Sequence, residues 1–127
     1  MLGDCEVIAF TQTTQAEHAK VFYEEVLGLK FQQESAFALV FSAGRTVLRV
    51  QKVREFLPLP FTALGWKVPD IDAAVRGLSQ RGVAFERYAA LAQDDAGIWT
   101  TPDGGRVCWF KDPDGNVLSL TQFLPSE

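Results

Sequence analysis

The side chains able to do chemistry in this 127-residue chain form a short set. Arg49 and Lys67 can hold an anion or polarise a carbonyl. Gln51, Ser119 and Thr121 can orient a ligand through hydrogen bonds, and Trp99 and Trp109 can stack on an aromatic ring. What is missing narrows the chemistry further. The single histidine, His18, sits between Glu17 and Lys20 on the polar side of an expected helix and reads as a solvated surface residue. Cys108 has no histidine nearby in sequence to activate it, and two cysteines, Cys5 and Cys108, are too few for a disulfide framework. Arg49 or Lys67 as electrophile with Glu6 as base would make an acid–base pair, but no nucleophile and base with a third orienting group stand out. The set suits recognition of a carbonyl-rich, anionic or aromatic small molecule better than covalent catalysis.

Composition is that of an ordinary globular protein. Apolar residues make up 47% and charged residues 22%, enough apolar surface for a core at this length. Sixteen acidic and 12 basic side chains give a net charge of −4 with no basic block, which argues against nucleic acid as the main partner. Leu57 to Leu64, the longest apolar stretch, is broken by Pro58 and Pro60, so no bilayer-spanning segment is expected. Asp4 and Glu6 close to the first methionine do not fit a signal peptide, and with two free thiols the expected location is the cytoplasm.

The elements that must position these residues repeat. Residues 6–10 alternate and are β-branched, as in a strand. Thr14 to Glu17 has the spacing of a capping box, and Ala19, Phe22, Tyr23, Val26 and Leu27 form an amphipathic stripe that Gly28 ends. Leu29-Lys30-Phe31 restarts an extended segment. In the second half, residues 63–68 read as a strand and Asp70 as a helix N-cap. Ile71, Ala74, Val75 and Leu78 form the stripe, Gly82 closes it, and Val83-Ala84-Phe85 restarts. Gly28/Phe31 and Gly82/Phe85 therefore share one offset. Ala36 to Ser42 and Arg45 to Gln51 flank Ala43-Gly44; Arg106 to Lys111 and Asn116 to Thr121 flank the turn Asp112-Pro113-Asp114-Gly115. Thr101-Pro102-Asp103-Gly104 is a second turn of that kind, expected to lead a hairpin into Arg106. Each half reads β-α-β-β-β, in an α+β chain forming one domain: a first module over residues 5–51, a linker over 52–61 and a second module over 62–123.

One helix covers one face of a four-stranded sheet. Alternation assigns Val7 and Ala9, Leu48 and Val50, Leu64, Trp66 and Val68, and Leu118 and Leu120 to the helix side. Ile8 and Phe10; Val47, Arg49 and Gln51; Ala63, Gly65 and Lys67; and Val117, Ser119 and Thr121 fall on the other. Those mixed, small and partly polar sets suit a ligand face. The expected ligand contacts are Ile8, Phe10, Arg49, Gln51, Lys67, Trp99, Trp109, Ser119 and Thr121, with both tryptophans expected near strand ends.

Val21-Phe22-Tyr23-Glu24-Glu25-Val26-Leu27-Gly28-Leu29 resembles the first-helix signature of the vicinal oxygen chelate superfamily, which includes glyoxalase I, extradiol dioxygenases, fosfomycin-resistance proteins and bleomycin-binding proteins. Trp109-Phe110-Lys111-Asp112-Pro113-Asp114-Gly115-Asn116-Val117-Leu118 resembles its last hairpin, so the resemblance spans nearly the whole chain. It implies two tandem βαβββ modules forming a cupped mixed sheet around a cavity, helices on the convex side, in a homodimer. It also implies four positions that hold a divalent metal in the family's enzymes. By spacing these fall at Ile8, Arg49, Ala63 and Ser119, and a one-residue slip gives Ala9, Leu48, Leu64 and Leu118. Neither set offers metal ligands, so no metal and no other cofactor is expected. The expectation is a metal-free binder that sequesters an antibiotic or metabolite in its cavity. The alternative is a lyase, isomerase or dioxygenase of the same superfamily with its ligands elsewhere in the chain.

Overall fold

In the computed structural model, which describes residues 1–125, the chain divides into two compact units. The first comprises Met1–Pro58 with Pro113–Asn116, and the second comprises Leu59–Asp112 with the segment from Val117 onward.

The first unit opens with a 3-10 turn at Leu2–Asp4 and then β1 (Ile8–Thr13). Helix α1 (Ala16–Val21) follows and widens into a π-helical turn over Phe22–Val26. Strands β2 (Lys30–Glu34), β3 (Ala38–Ala43) and β4 (Thr46–Lys52) complete it. The sheet runs β1-β4-β3-β2, with β1 parallel to β4 and the other pairs antiparallel. Gly28 takes φ +77°, a left-handed conformation that side chains resist, and this releases the chain from the helix into β2. Ala19 and Tyr23 of the expected stripe are fully buried, and the Tyr23 ring lies 5.7 Å from Phe41. The Tyr23 hydroxyl donates to the Thr11 hydroxyl at 3.5 Å, so the phenol enters the core with its polar end satisfied.

Two local expectations need correction. Strand β1 spans Ile8–Thr13 rather than residues 6–10, because its parallel ladder to β4 begins at Ile8 opposite Val47. Val7 therefore precedes the sheet and is exposed instead of lying under the helix. The capping box does not form either. Gln15 is the α1 N-cap but its side chain makes no capping bond to the helix, and Thr14 is engaged elsewhere. Both its backbone N–H and its hydroxyl donate to Asp114 Oδ1 at 2.8 Å, while the Thr13 hydroxyl donates to Asp114 Oδ2 at 2.5 Å. Gln15 Nε2 donates to the Pro113 carbonyl at 3.2 Å, and Asn116 Nδ2 to the Gln12 carbonyl at 2.9 Å. The segment Pro113–Asn116 is thus fastened to the β1–α1 loop of the first unit.

The second unit repeats the order with β5 (Thr62–Lys67), α2 (Ile71–Gln80), β6 (Trp99–Thr100), β7 (Arg106–Lys111) and β8 (Val117–Gln122). Its sheet runs β5-β8-β7-β6, again with one parallel pair, β5 and β8. Asp70 caps α2, accepting from the Ala73 N–H at 3.1 Å, and the Ile71 N–H donates to Gln122 Oε1 at 2.8 Å. Arg106 forms a two-pronged ion pair with Asp72, at 2.6 and 3.0 Å, tying β7 to the first turn of α2. That hydrogen-bonded guanidinium holds the Asp72 carboxyl below its ordinary value. Ile71, Val75 and Leu78 are buried with Ile98, Cys108, Phe110, Leu118 and Leu120.

The third element of this module departs from the first copy. Residues 83–85 contribute only an isolated bridge between Phe85 and Phe110, and the edge of β7 is completed by β6. The chain between them is irregular and pinned from within. Arg87 donates to the Asp94 and Asp95 carbonyls at 2.6 and 2.5 Å, and Gln93 Nε2 donates to the Glu86 and Gly97 carbonyls at 2.9 and 2.8 Å. Thr101 to Gly105 forms the expected hairpin turn into β7, closed by the Thr101 N–H to the Gly105 carbonyl at 2.7 Å. Each unit is thus a four-stranded mixed sheet with one α-helix, the α+β architecture of two tandem βαβββ modules.

Candidate functional site

Directly paired residues on neighbouring strands share a sheet face. In the first unit, Ala9, Leu48 and Phe41 form one row on the α1 side, and Thr11, Val50 and Leu39 another. The opposite face carries three rows: Ile8–Val47–Ser42, Phe10–Arg49–Val40 and Gln12–Gln51–Ala38. Four expected ligand contacts, Ile8, Phe10, Arg49 and Gln51, thus lie together on that face. Ile8 and Phe10 stay 49% and 46% exposed although both are large and apolar. Among the described residues no carboxylate pairs with Arg49, and Gln51 Oε1 accepts from Gln12 Nε2 at 3.4 Å. Glu6 precedes β1 on an exposed segment and forms no ion pair with Arg49 or Lys67.

In the second unit, Leu64, Leu118 and Phe110 form a row on the α2 side, as do Trp66, Leu120 and Cys108. Val68 lies one residue past β5, where its N–H donates to the Thr121 carbonyl at 2.9 Å. The opposite face carries Gly65–Ser119–Trp109 and Lys67–Thr121–Val107–Trp99. The remaining expected contacts, Lys67, Trp99, Trp109, Ser119 and Thr121, are all here. Ala63 was expected on this face, but the ladder to β8 shifts register between Thr62 and Leu64 and leaves it in a bulge. Trp109 is not near a strand end; it is the fourth of six residues in β7, paired with Ser119. Trp99 does open its strand, and the two indoles lie 6.3 Å apart at 31°. Ser119 sits low on the face, 8% exposed.

Tyr88 completes the aromatic group and was not legible beforehand. Its ring meets Trp109 edge-on at 5.4 Å and 86°, and its N–H donates to Gln93 Oε1 at 2.7 Å. Burial, and then the Glu86 carboxylate, push the phenol above its ordinary pKa, so it remains neutral through the physiological range. Tyr88 lies in the irregular 86–98 chain, where neither alternation nor helical spacing marks a face. The signal it did offer was an aromatic residue in a stretch with no apolar periodicity.

The four positions at which the resemblance places metal ligands do not suit a divalent cation. Ile8 and Ala63 have no donor atom, Ser119 offers one neutral hydroxyl, and Arg49 brings positive charge. Among the described residues no three His, Cys, Asp or Glu side chains converge as a metal site. His18 is exposed on α1, its Nδ1 3.1 Å from Gln15 Oε1. Cys108 is fully buried, and burial pushes its thiol up to about 12. A recess of about 490 Å³ in the second unit lies beside Ser79, Gln80 and Phe85. It holds none of the expected contacts, and its Arg87 is already committed to backbone carbonyls.

Residues 8–120 match the Glyoxalase/Bleomycin resistance protein/Dioxygenase superfamily. The chain belongs to this superfamily. No curated protein matches the sequence. Among solved structures, the chain is similar to TnmS3, an antibiotic binding protein from Streptomyces sp. CB03234, at 28% identity with a TM-score of 0.73 and 99% of both chains covered. It shares its fold with a lactoylglutathione lyase from Agrobacterium tumefaciens, at 16% identity and a TM-score of 0.73, covering 94% of this chain and 93% of that one. UcmS2 is a further structure of this fold, at 19% identity and a TM-score of 0.69, with 91% and 96% covered. Among the described residues no helix is long and apolar enough to cross a membrane.

Proposed function

We propose that this member of the superfamily is a metal-free binding protein that sequesters a small aromatic or anionic organic molecule, an antibiotic or a metabolite. The observation that carries it is the cluster of Tyr88, Trp99 and Trp109 on the sheet face that also bears Ser119, Thr121 and Lys67. Tilted and edge-on rings beside a few hydrogen-bonding groups make a surface that fixes a planar ligand without reacting with it. The likeness to an antibiotic binding protein supports sequestration, and the donor-poor set Ile8, Arg49, Ala63 and Ser119 supports a site without metal. On the first sheet, Arg49 between Phe10 and Val40 is a cation without a carboxylate partner among the described residues, suited to an anionic or carbonyl group. Two free cysteines support a reducing, cytoplasmic setting, and exposed Ile8 and Phe10 on the edge strand β1 support a homodimer.

A thermal-shift screen against aromatic antibiotics and anionic metabolites tests this. A ligand at a hundredfold excess over its Kd raises stability by about 2.7 kcal/mol. Arg49→Ala is expected to reduce the shift for anionic compounds and leave neutral aromatic ones unchanged. Stoichiometric Ni, Zn, Mn or Fe that resists dialysis, or turnover of a bound compound, would overturn the proposal.

A further inference from the structure

Gly65 occupies the interior of an edge strand, where glycine weakens pairing and side-chain packing. Its backbone does not demand glycine, since its φ lies outside the left-handed region occupied by Gly28 and Gly82. Space is therefore the constraint. A Cβ at Gly65 would lie 2.5 Å from Ser119 Oγ and 3.8 Å from Ser119 Cβ, with the Ser119 backbone oxygen at 3.4 Å. Across the row Gly65–Ser119–Trp109 the side chains rise from nothing, through a hydroxymethyl group, to an indole. Two strand spacings, about 9–10 Å, separate the bare backbone of Gly65 from the strand bearing Trp109. That width admits one aromatic ring stacked on the indole. Lys67 stands two residues further along the same face, about 7 Å away, and forms no ion pair among the described residues.

We propose that Gly65 is a specificity-determining residue: it keeps open a slot against Trp109 that accepts a flat aromatic ring, with Lys67 at its end taking an anionic substituent. The ligand class is a planar aromatic acid. The inference rests on the binding function proposed above and deepens it. Ser119 forms the floor, and Tyr88 backs the Trp109 wall from the side. Stacking on the indole favours a flat aromatic ring over a saturated one, so aromaticity as well as charge is selected.

The test uses 2-naphthoate, its saturated analogue decalin-2-carboxylate and neutral 2-naphthamide, titrated by tryptophan fluorescence and calorimetry. The wild type is expected to bind 2-naphthoate at least tenfold more tightly than the decalin acid. Gly65→Ala should weaken 2-naphthoate at least tenfold. Because that methyl also meets the Ser119 hydroxyl, Gly65→Ala/Ser119→Ala removes the collision and is expected to fold like the wild type while staying equally weak. Ser119→Ala alone should lose no more than about threefold. Lys67→Gln should weaken 2-naphthoate severalfold and leave 2-naphthamide unchanged. Wild-type affinity in Gly65→Ala, or recovery in the double variant, would overturn the slot and leave the binding function standing. Equal losses for acid and amide in Lys67→Gln would overturn the assignment of charge. If the wild type binds compounds of the wider screen but not 2-naphthoate, the slot alone falls; if it binds none of them, the binding function falls with it.

Discussion

Asp114 shows how one carboxylate can hold two distant parts of a sequence in register. It accepts from the Thr13 hydroxyl and from both the N–H and hydroxyl of Thr14, anchoring the turn to the end of β1. Hydrogen bonds to a charged group are individually worth more than neutral ones, and removing the acceptor leaves the donors without it. Asp114→Ala is expected to lower unfolding free energy by about 2–3 kcal/mol, read as a drop in the denaturant midpoint. The thiols make a second residue-scale contrast. Cys108 is buried with its pKa raised from 9.0 to about 12, whereas Cys5 is exposed. Iodoacetamide at pH 8 should therefore label the folded protein once, at Cys5, and label Cys108 only after unfolding. Because the folded thiol resists ionisation, stability is fully present below pH 9 and is lost as pH rises from 9 towards 12. Chemical denaturation of Cys108→Ala across that range should show a shallower decline than the wild type.

Among the elements, the two helices were equally legible as stripes but not as starts. Asp70 caps α2 as its position suggests, and Asp70→Ala is expected to cost about 1 kcal/mol in thermal or chemical unfolding. Thr14, with the same sequence credentials at α1, does not cap. A carboxylate far along the chain competes for its hydroxyl, and no local pattern registers such a partner. Strands β7 and β3 fall close to where alternation placed them, because both faces of each are read by neighbours on either side. The edge of the second sheet was not legible. Residues 83–85 have the sequence of a strand, yet Arg87 and Gln93 hold the following chain in a closed loop, so pairing stops after Phe85 and resumes at Trp99. Tyr88 reaches Trp109 from that loop, which is why the third ring of the cluster escaped sequence reading while its two tryptophans did not.

At the scale of the molecule, the repeated βαβββ pattern was legible because the helix stops at Gly28 and Gly82 and the apolar alternation recur together. The sheet orders β1-β4-β3-β2 and β5-β8-β7-β6 are the same topology written twice. Function was legible only as far as residue type allows. Residue type rules against metal donors at Ile8, Arg49, Ala63 and Ser119, but the proposed aromatic cluster is completed by Tyr88, which comes from irregular chain that no periodicity marks. The proposed role is therefore tested most directly by titrating the best compound of the thermal screen into chelator-treated protein and following tryptophan fluorescence. Saturable quenching is predicted, with a Kd unchanged by chelation and at least tenfold weaker in Trp109→Ala. Binding that appears only after a divalent metal is restored, or that is indifferent to Trp109→Ala, would contradict it.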